Sequence, residues 1–245
     1  MKHTIELFID SLNKEKDHKK AKFFPSFFKT GPGEYAEGDQ FLGVTVPKQR
    51  IVAKKFAKDL TLDDLQSLIR SPYHEVRLTT LLILIQKYQT KNILEMEKER
   101  IVQFYFKNTK NINNWDLVDI SADKILGDYY FDKNKDFLMN LRNSKDLWEN
   151  RIAILCTFHW IRRGHYTETI SLCEHYLNHP HDLIHKATGW MLREIGKRDI
   201  QILRNFLKQH AAKMPRTMLR YAIEKLTPSE RKKWLETKKD VYSLG

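Results

Sequence analysis

The chain has 245 residues, 30% of them charged, with only nine glycines, seven prolines and two cysteines, and 43 basic residues against 31 acidic ones give a formal net charge of +12. This composition excludes a disulfide-stapled or turn-rich β fold and favours helices. No apolar run reaches membrane-spanning length, and the basic excess points to a polyanionic partner, nucleic acid first.

In chain order, residues 3–20 are predicted as a first amphipathic helix, with Ile5, Phe8, Ile9 and Leu12 inward and lysines gathered near its C-terminal end. AKFFPSFFKTGPGEYAEGDQFLGVTVPKQR follows, with turns at Gly31, Gly33, Gly38 and Gly43. It is no phosphate-binding loop, because no Gly-Lys-Ser/Thr follows. Pro47 suits the first turn of the next helix. Thr61 and Asp64 form a capping-box pattern for a helix over 62–69. Further helices are predicted over 72–89, 91–106, 114–130, 133–142, 146–163, 166–178, 182–196, 199–210 and 214–226. Thr227-Pro228-Ser229-Glu230 is a strong start signal for a last helix over 228–237. Nowhere does a convincing alternating strand pattern occur.

HEVRLTTLLIL, WDLVDISADKIL, ENRIAILCTFHW, IHKATGWMLREI and PRTMLRYAIEKL each open polar or basic and then turn apolar. Trp115 to Arg151 is a step of 36 residues and Arg151 to Trp190 a step of 39. These steps lie just below the period of HEAT-type helix pairs. The expected fold is therefore all-α: a HEAT-like helical-repeat solenoid with a basic concave groove, in one domain over 1–245. N-terminal helices occupy 1–60 and the repeat array 61–237. Helix pairs of this kind bury their apolar faces by stacking, so residues far apart in sequence can meet in one groove.

Three groups of residues could carry chemistry. Trp115 and Asp119 are four apart, which puts an indole and a carboxylate side by side on one helix face, a pair suited to a cationic ligand. The core face of that helix should centre on Val118, Ala122 and Ile125. The alternative is that Trp115 packs and Asp119 binds a backbone group. Arg151 opens a helix whose inward residues are Ile154, Leu155 and Phe158. Lys186, Trp190 and Arg193 share a basic–aromatic–basic face, able to hold phosphates while the indole packs on sugar or base. The alternative puts Trp190 in the core with the charges solvated. Cys173, His175, His179, His181 and His185 cluster, but Pro180 interrupts them and no metal-ligand spacing is present. Surface and capping roles are expected there, with no metal and no cofactor. Asp116 is expected on a different part of its helix face from Asp119, as an inert neighbour.

NNWDLVD, ENRIAIL, HKATGWMLREIGKRD and MPRTMLRYAIEKL resemble the AlkD-like DNA alkylation repair family, which are HEAT-like-repeat DNA glycosylases. The resemblance runs over roughly 20–226. It implies that Trp115 and Trp190 flank the deoxyribose of the lesion, that Asp119 is the catalytic carboxylate and that Arg151 holds the DNA backbone. Lys186 and Arg193 join it as expected DNA contacts. The implied activity is monofunctional hydrolysis of the N-glycosidic bond of positively charged alkylpurines, of the 3-methyladenine and 7-methylguanine type, in duplex DNA without base flipping. The expected protein is a cytoplasmic monomer with damaged duplex DNA as partner and no membrane association. Two rivals remain: a non-catalytic relative that recognises distorted duplex, and a HEAT scaffold that binds an acidic protein.

Overall fold

The computed structural model describes residues 2–237. The described residues form fourteen α-helices and no strand, apart from a single parallel bridge between Gln40 and Tyr73. The fold is all-α, and the contacts of the described residues divide it after Tyr129 into two compact units.

The first unit holds α1 (Lys2–Asn13), α2 (His18–Phe28), α3 (Val46–Phe56), α4 (Leu62–Leu68), α5 (His74–Tyr88), α6 (Glu95–Lys107) and α7 (Trp115–Ala122). Helix α3 packs on α5 and α5 on α7, while α4 and α6 pack behind α5. Thus alternate helices share a layer, as in a helical-repeat array. Enclosed on both sides, α5 is buried almost all round and carries an unbroken apolar run, Leu81–Ile85, where a surface helix would alternate with polar residues. Its two threonines satisfy themselves: Thr79 Oγ1 donates to Glu75 O (2.7 Å) and Thr80 Oγ1 to Val76 O (2.8 Å).

The second unit repeats the scheme with α8 (Phe137–Arg142), α9 (Leu147–Arg162), α10 (Thr167–His175), α11 (Asp182–Gly196), α12 (Ile200–His210), α13 (Arg216–Ala222) and α14 (Pro228–Glu236). Here α9, α11 and α13 share a layer, and α8, α10 and α12 pack behind them. Gly189 sets the distance between α11 and α13. A Cβ added there would lie 2.5 Å from Met218 O and 2.6 Å from Tyr221 Cβ, so only a glycine lets the two helices approach this closely.

Local start signals act as the sequence predicts. Thr61 and Asp64 close a complete capping box on α4, and Thr227 caps α14 with Pro228 in its first turn. Asp146 and Asp199 likewise cap α9 and α12 through their carboxylates. The main departure is at the N-terminus. The expected helix over 3–20 stops at Asn13, and a second helix, α2, runs through the segment read as irregular. Asp17 causes the restart: its Oδ1 accepts from the backbone N–H of Lys19 (3.0 Å) and Lys20 (3.1 Å). The helix expected over 114–130 is also not uniform. It widens into a π-helical turn at Asp123–Gly127, the turn after Asp119. Such turns are rare and often lie at functional sites.

Glu75 ties the N-terminal loop to α5. Its buried carboxylate accepts from the backbone N–H groups of Leu42 (3.0 Å), Gly43 (2.8 Å) and Val44 (3.1 Å). That loop in turn holds the start of α2, because Asp17 N–H donates to Leu42 O (3.1 Å). Gly43 has φ +82°, and a Cβ there would fall 2.1 Å from Asp17 O. The position therefore accepts only glycine, for both backbone and contact reasons.

Candidate active site

In the first unit, α7 carries Trp115 and Asp119 one turn apart, both half-buried. Val118, Ala122 and Ile125 are fully buried, so the core face of the helix is the expected one and the indole and carboxylate flank it. Asn114 caps the helix by accepting from Trp115 N–H (2.8 Å). The indole stacks on Phe28 (centroids 5.5 Å, 20°) and meets Phe27 edge-on (5.9 Å, 72°). Phe28 is thus the floor under Trp115, and it comes from α2, which the sequence reading did not foresee.

Beneath this floor lies a charged network. His74, 2% exposed, donates from Nδ1 to Asp39 (3.2 Å) and from Nε2 to Asp116 (2.8 Å). Arg77 Nη2 reaches both oxygens of Asp39 at 2.7 Å, and also Asn113 Oδ1 at 3.1 Å. The imidazole lies against the rings of Phe28 (4.6 Å) and Phe41 (5.2 Å), which also stack on each other (5.2 Å). Burial alone pushes the His74 pKa down, but the charge of Asp116 and the hydrogen bonds to Asp116 and Asp39 outweigh it and raise the pKa to about 9. Burial likewise pushes Asp39 up, yet its bond to His74 and the Arg77 charge hold it below the usual carboxylate range. With His74 charged, two cations balance two carboxylates.

Asp116 is therefore not the inert neighbour of Asp119 expected from the sequence. It faces inward, accepts from His74, and also receives Leu117 N–H at 2.9 Å (through Oδ1). The network was hidden because its members lie far apart in the chain. The available signal was the pair His74 and Arg77, three apart at the opening of a helix with an apolar middle.

A raised histidine pKa has a definite sign in stability. The contribution is fully present below the ordinary value of 6.5 and is lost as pH rises through about 9. A difference of that size corresponds to about 3 kcal/mol. Wild-type stability, measured by chemical denaturation, should fall between pH 6.5 and 9.5 more steeply than that of His74→Gln. Parallel pH curves for the two proteins would show that His74 carries no such charge.

In the second unit, Trp190 is half-buried on α11 and packs at 5.5 Å against Phe158 of α9. Ile154 and Leu155 are buried as expected, whereas Phe158 is half-exposed, with the guanidinium of Arg162 4.3 Å from its ring centre. Lys186 pairs with Asp182 (3.0 Å), and Arg193 pairs with Glu224 and approaches Glu194 (3.9 Å). The face is basic–aromatic–basic, but its cations already have acidic neighbours, unlike the solvated charges of the alternative reading. Arg151 is not a surface group: it is 5% exposed, and its Nη1 donates to Leu183 O (2.6 Å) in the first turn of α11. It braces α9 against α11.

The histidines brace neighbouring backbone and side chains. His179 Nε2 meets Asn150 Oδ1 (2.9 Å), His181 Nδ1 caps α11 by accepting from Leu183 N–H (3.1 Å), and His185 Nε2 meets His179 O (2.5 Å). Burial, then their mutual repulsion, lowers the pKa of His179, and burial lowers that of His181 as well. A pocket of about 400 Å³, lined by Thr61, Asp63, Lys87, Glu97 and Arg100 among others, contains none of the expected site residues.

No curated protein matches the chain. It is similar in fold to a solved structure described as a predicted DNA alkylation repair enzyme from Enterococcus faecalis, with a TM-score of 0.68 and 16% identity. That similarity covers 87% of this chain and 98% of the other. The family model of the DNA alkylation repair enzymes matches residues 8–226, nearly the whole described chain. The chain belongs to the DNA alkylation repair enzyme family.

Proposed function

We propose that the protein is a monofunctional DNA glycosylase that hydrolyses the N-glycosidic bond of positively charged alkylpurines in duplex DNA, without extruding the base. The observation that carries this reading is the α7 pair, a half-exposed indole and a carboxylate one turn apart, in a chain of this family. A purine alkylated at N3 or N7 is already cationic, so it leaves as a neutral base and needs no general acid, unlike an ordinary glycoside. The C1′–N bond breaks with its electron pair going to the base. A water oxygen then bonds to C1′ and releases its proton, leaving an abasic site. Asp119 would stabilise the cationic sugar and hold the water beside the electron-rich face of Trp115, and Trp190 would supply a further indole face to the DNA.

Arg151, Lys186 and Arg193 are the proposed DNA contacts. For Lys186 and Arg193, phosphate would replace Asp182 and Glu224 as the partner. The Lys186–Asp182 pair is exposed and worth little, so that exchange costs little, whereas Arg193 is only 17% exposed and its exchange costs more. Arg151 is 5% exposed, so any phosphate contact is confined to the little of it that reaches the surface. Arg151→Ala should weaken binding to damaged and undamaged duplex alike, because a phosphate contact carries no base information. It should also lower the melting temperature by loosening α9 from α11. Unchanged affinity at low salt would leave Arg151 with the bracing role alone.

The test of the function is release of free base from alkylated duplex by the purified protein. Salt-sensitive DNA binding with no release would favour a non-catalytic relative. Absence of salt-sensitive binding would exclude both DNA readings.

A further inference from the structure

We propose that the outer face of α2, with Phe23 and Phe27 at its centre, is a base-stacking platform that enters duplex DNA beside Trp115. This rests on the DNA reading above and adds to it a site that acts on base stacking. The helix reads HKKAKFFPSFF, and its four phenylalanines divide between two faces. Phe28 is buried under Trp115, and Phe24 packs against Phe28 (5.9 Å) and Phe41 (5.8 Å). Phe23 and Phe27, four residues apart, stack on each other in water (6.2 Å, 28°) and are 60% and 51% exposed. Two neighbouring phenyl rings left in solvent forgo burial that the same helix obtains for their siblings.

The charge around them selects the partner. His18, Lys19, Lys20, Lys22 and Lys29 are all exposed, and no acidic residue lies within α2. The one carboxylate at its start, Asp17, is engaged by Lys20 and by two backbone N–H groups. A polyanion that also offers flat apolar surfaces satisfies both halves of this face, and a nucleic acid does so. Apolar side chains wedged into a base step unstack it, and aromatic rings accept any base because every base has a π face. The platform is continuous with the candidate site, since Phe27 touches Trp115. Partial unstacking there would expose the deoxyribose to α7 while leaving the base inside the helix.

The experiment uses the full chain and duplexes with 2-aminopurine in the step next to an uncleavable abasic-site analogue. Wild-type binding should raise 2-aminopurine fluorescence several-fold. Phe23→Ala/Phe27→Ala should bind about 10-fold more weakly, lose the fluorescence rise, and keep the same salt dependence, because the lysines remain. If the double variant does not fold, Phe23→Ala alone decides, since its ring contacts lie within α2. Wild-type binding without a fluorescence change, or a rise that survives in the variants, overturns the platform and leaves the glycosylase reading intact. No binding by the wild type overturns both. Binding to anionic phospholipid vesicles that the variants lose, with base unstacking unaffected, would assign the face to a lipid surface and overturn the proposal.

Discussion

The Asp119→Asn protein should keep its fold and its affinity for duplex DNA, yet release 7-methylguanine roughly 10²–10³-fold more slowly in single turnover. The amide keeps the shape of the carboxylate and removes the charge. Only the charge opposes the cation that develops on the sugar, so the loss belongs to the transition state and not to binding. The defect should be largest for the most stable glycosidic bonds, because very labile adducts depart with little help. Asp116→Asn is unsuitable as the companion control. That substitution removes a charge facing His74 in a buried network and would disturb the start of α7. Asp10→Asn, exposed on α1, is the appropriate control and should change little. Near-normal excision by folded Asp119→Asn would remove Asp119 from the mechanism.

Glu75→Ala should produce the largest loss of stability. Three buried backbone N–H groups, those of Leu42, Gly43 and Val44, would lose a charged acceptor at once. Hydrogen bonds to a charged group contribute about 1.5–3 kcal/mol each, and stranded donors cost more, so a loss of at least about 4 kcal/mol is expected. That is a large part of the stability of a typical domain. Glu75→Gln separates charge from geometry. Its oxygen can still accept from Gly43 and Val44, but its amide nitrogen would face Leu42 N–H, so the loss should be smaller. Denaturation midpoints, with hydrogen exchange at residues 42–44, measure both effects. Equal exchange protection in wild type and Glu75→Ala would mean that the loop is held by something else. The consequence reaches the candidate site, since the loop anchors Asp17, Asp17 starts α2, and α2 supplies the floor under Trp115.

What the sequence by itself determined is local. Capping is chemistry within four residues, so Thr61–Asp64 and Thr227-Pro228 place their helices without reference to the rest of the chain. Helical spacing put Trp115 and Asp119 on one side of α7, and the apolar positions fixed which side faces the core. The motifs quoted from the chain were also enough to identify its family, which the family model then showed over residues 8–226. The tertiary structure decided whatever depends on a partner distant in the chain. Asp116 was expected to be an inert neighbour of Asp119, but His74, 42 residues away, lies against it. Arg151 looked like a free cation at a helix opening, but the Leu183 carbonyl, 32 residues on, turns it inward. The split of the first helix was legible in principle from Asp17, but a lysine-rich stretch continues a helical pattern as readily as it interrupts one. Here the interruption is fixed from outside the helix by Leu42, whose carbonyl accepts from Asp17 N–H, and by Gly43, which lies against Asp17 O, with Glu75 holding both through their N–H groups. Helix type follows from periodicity along the chain, whereas the environment of a charged side chain is set by whatever packs across from it, and only the folded chain determines that.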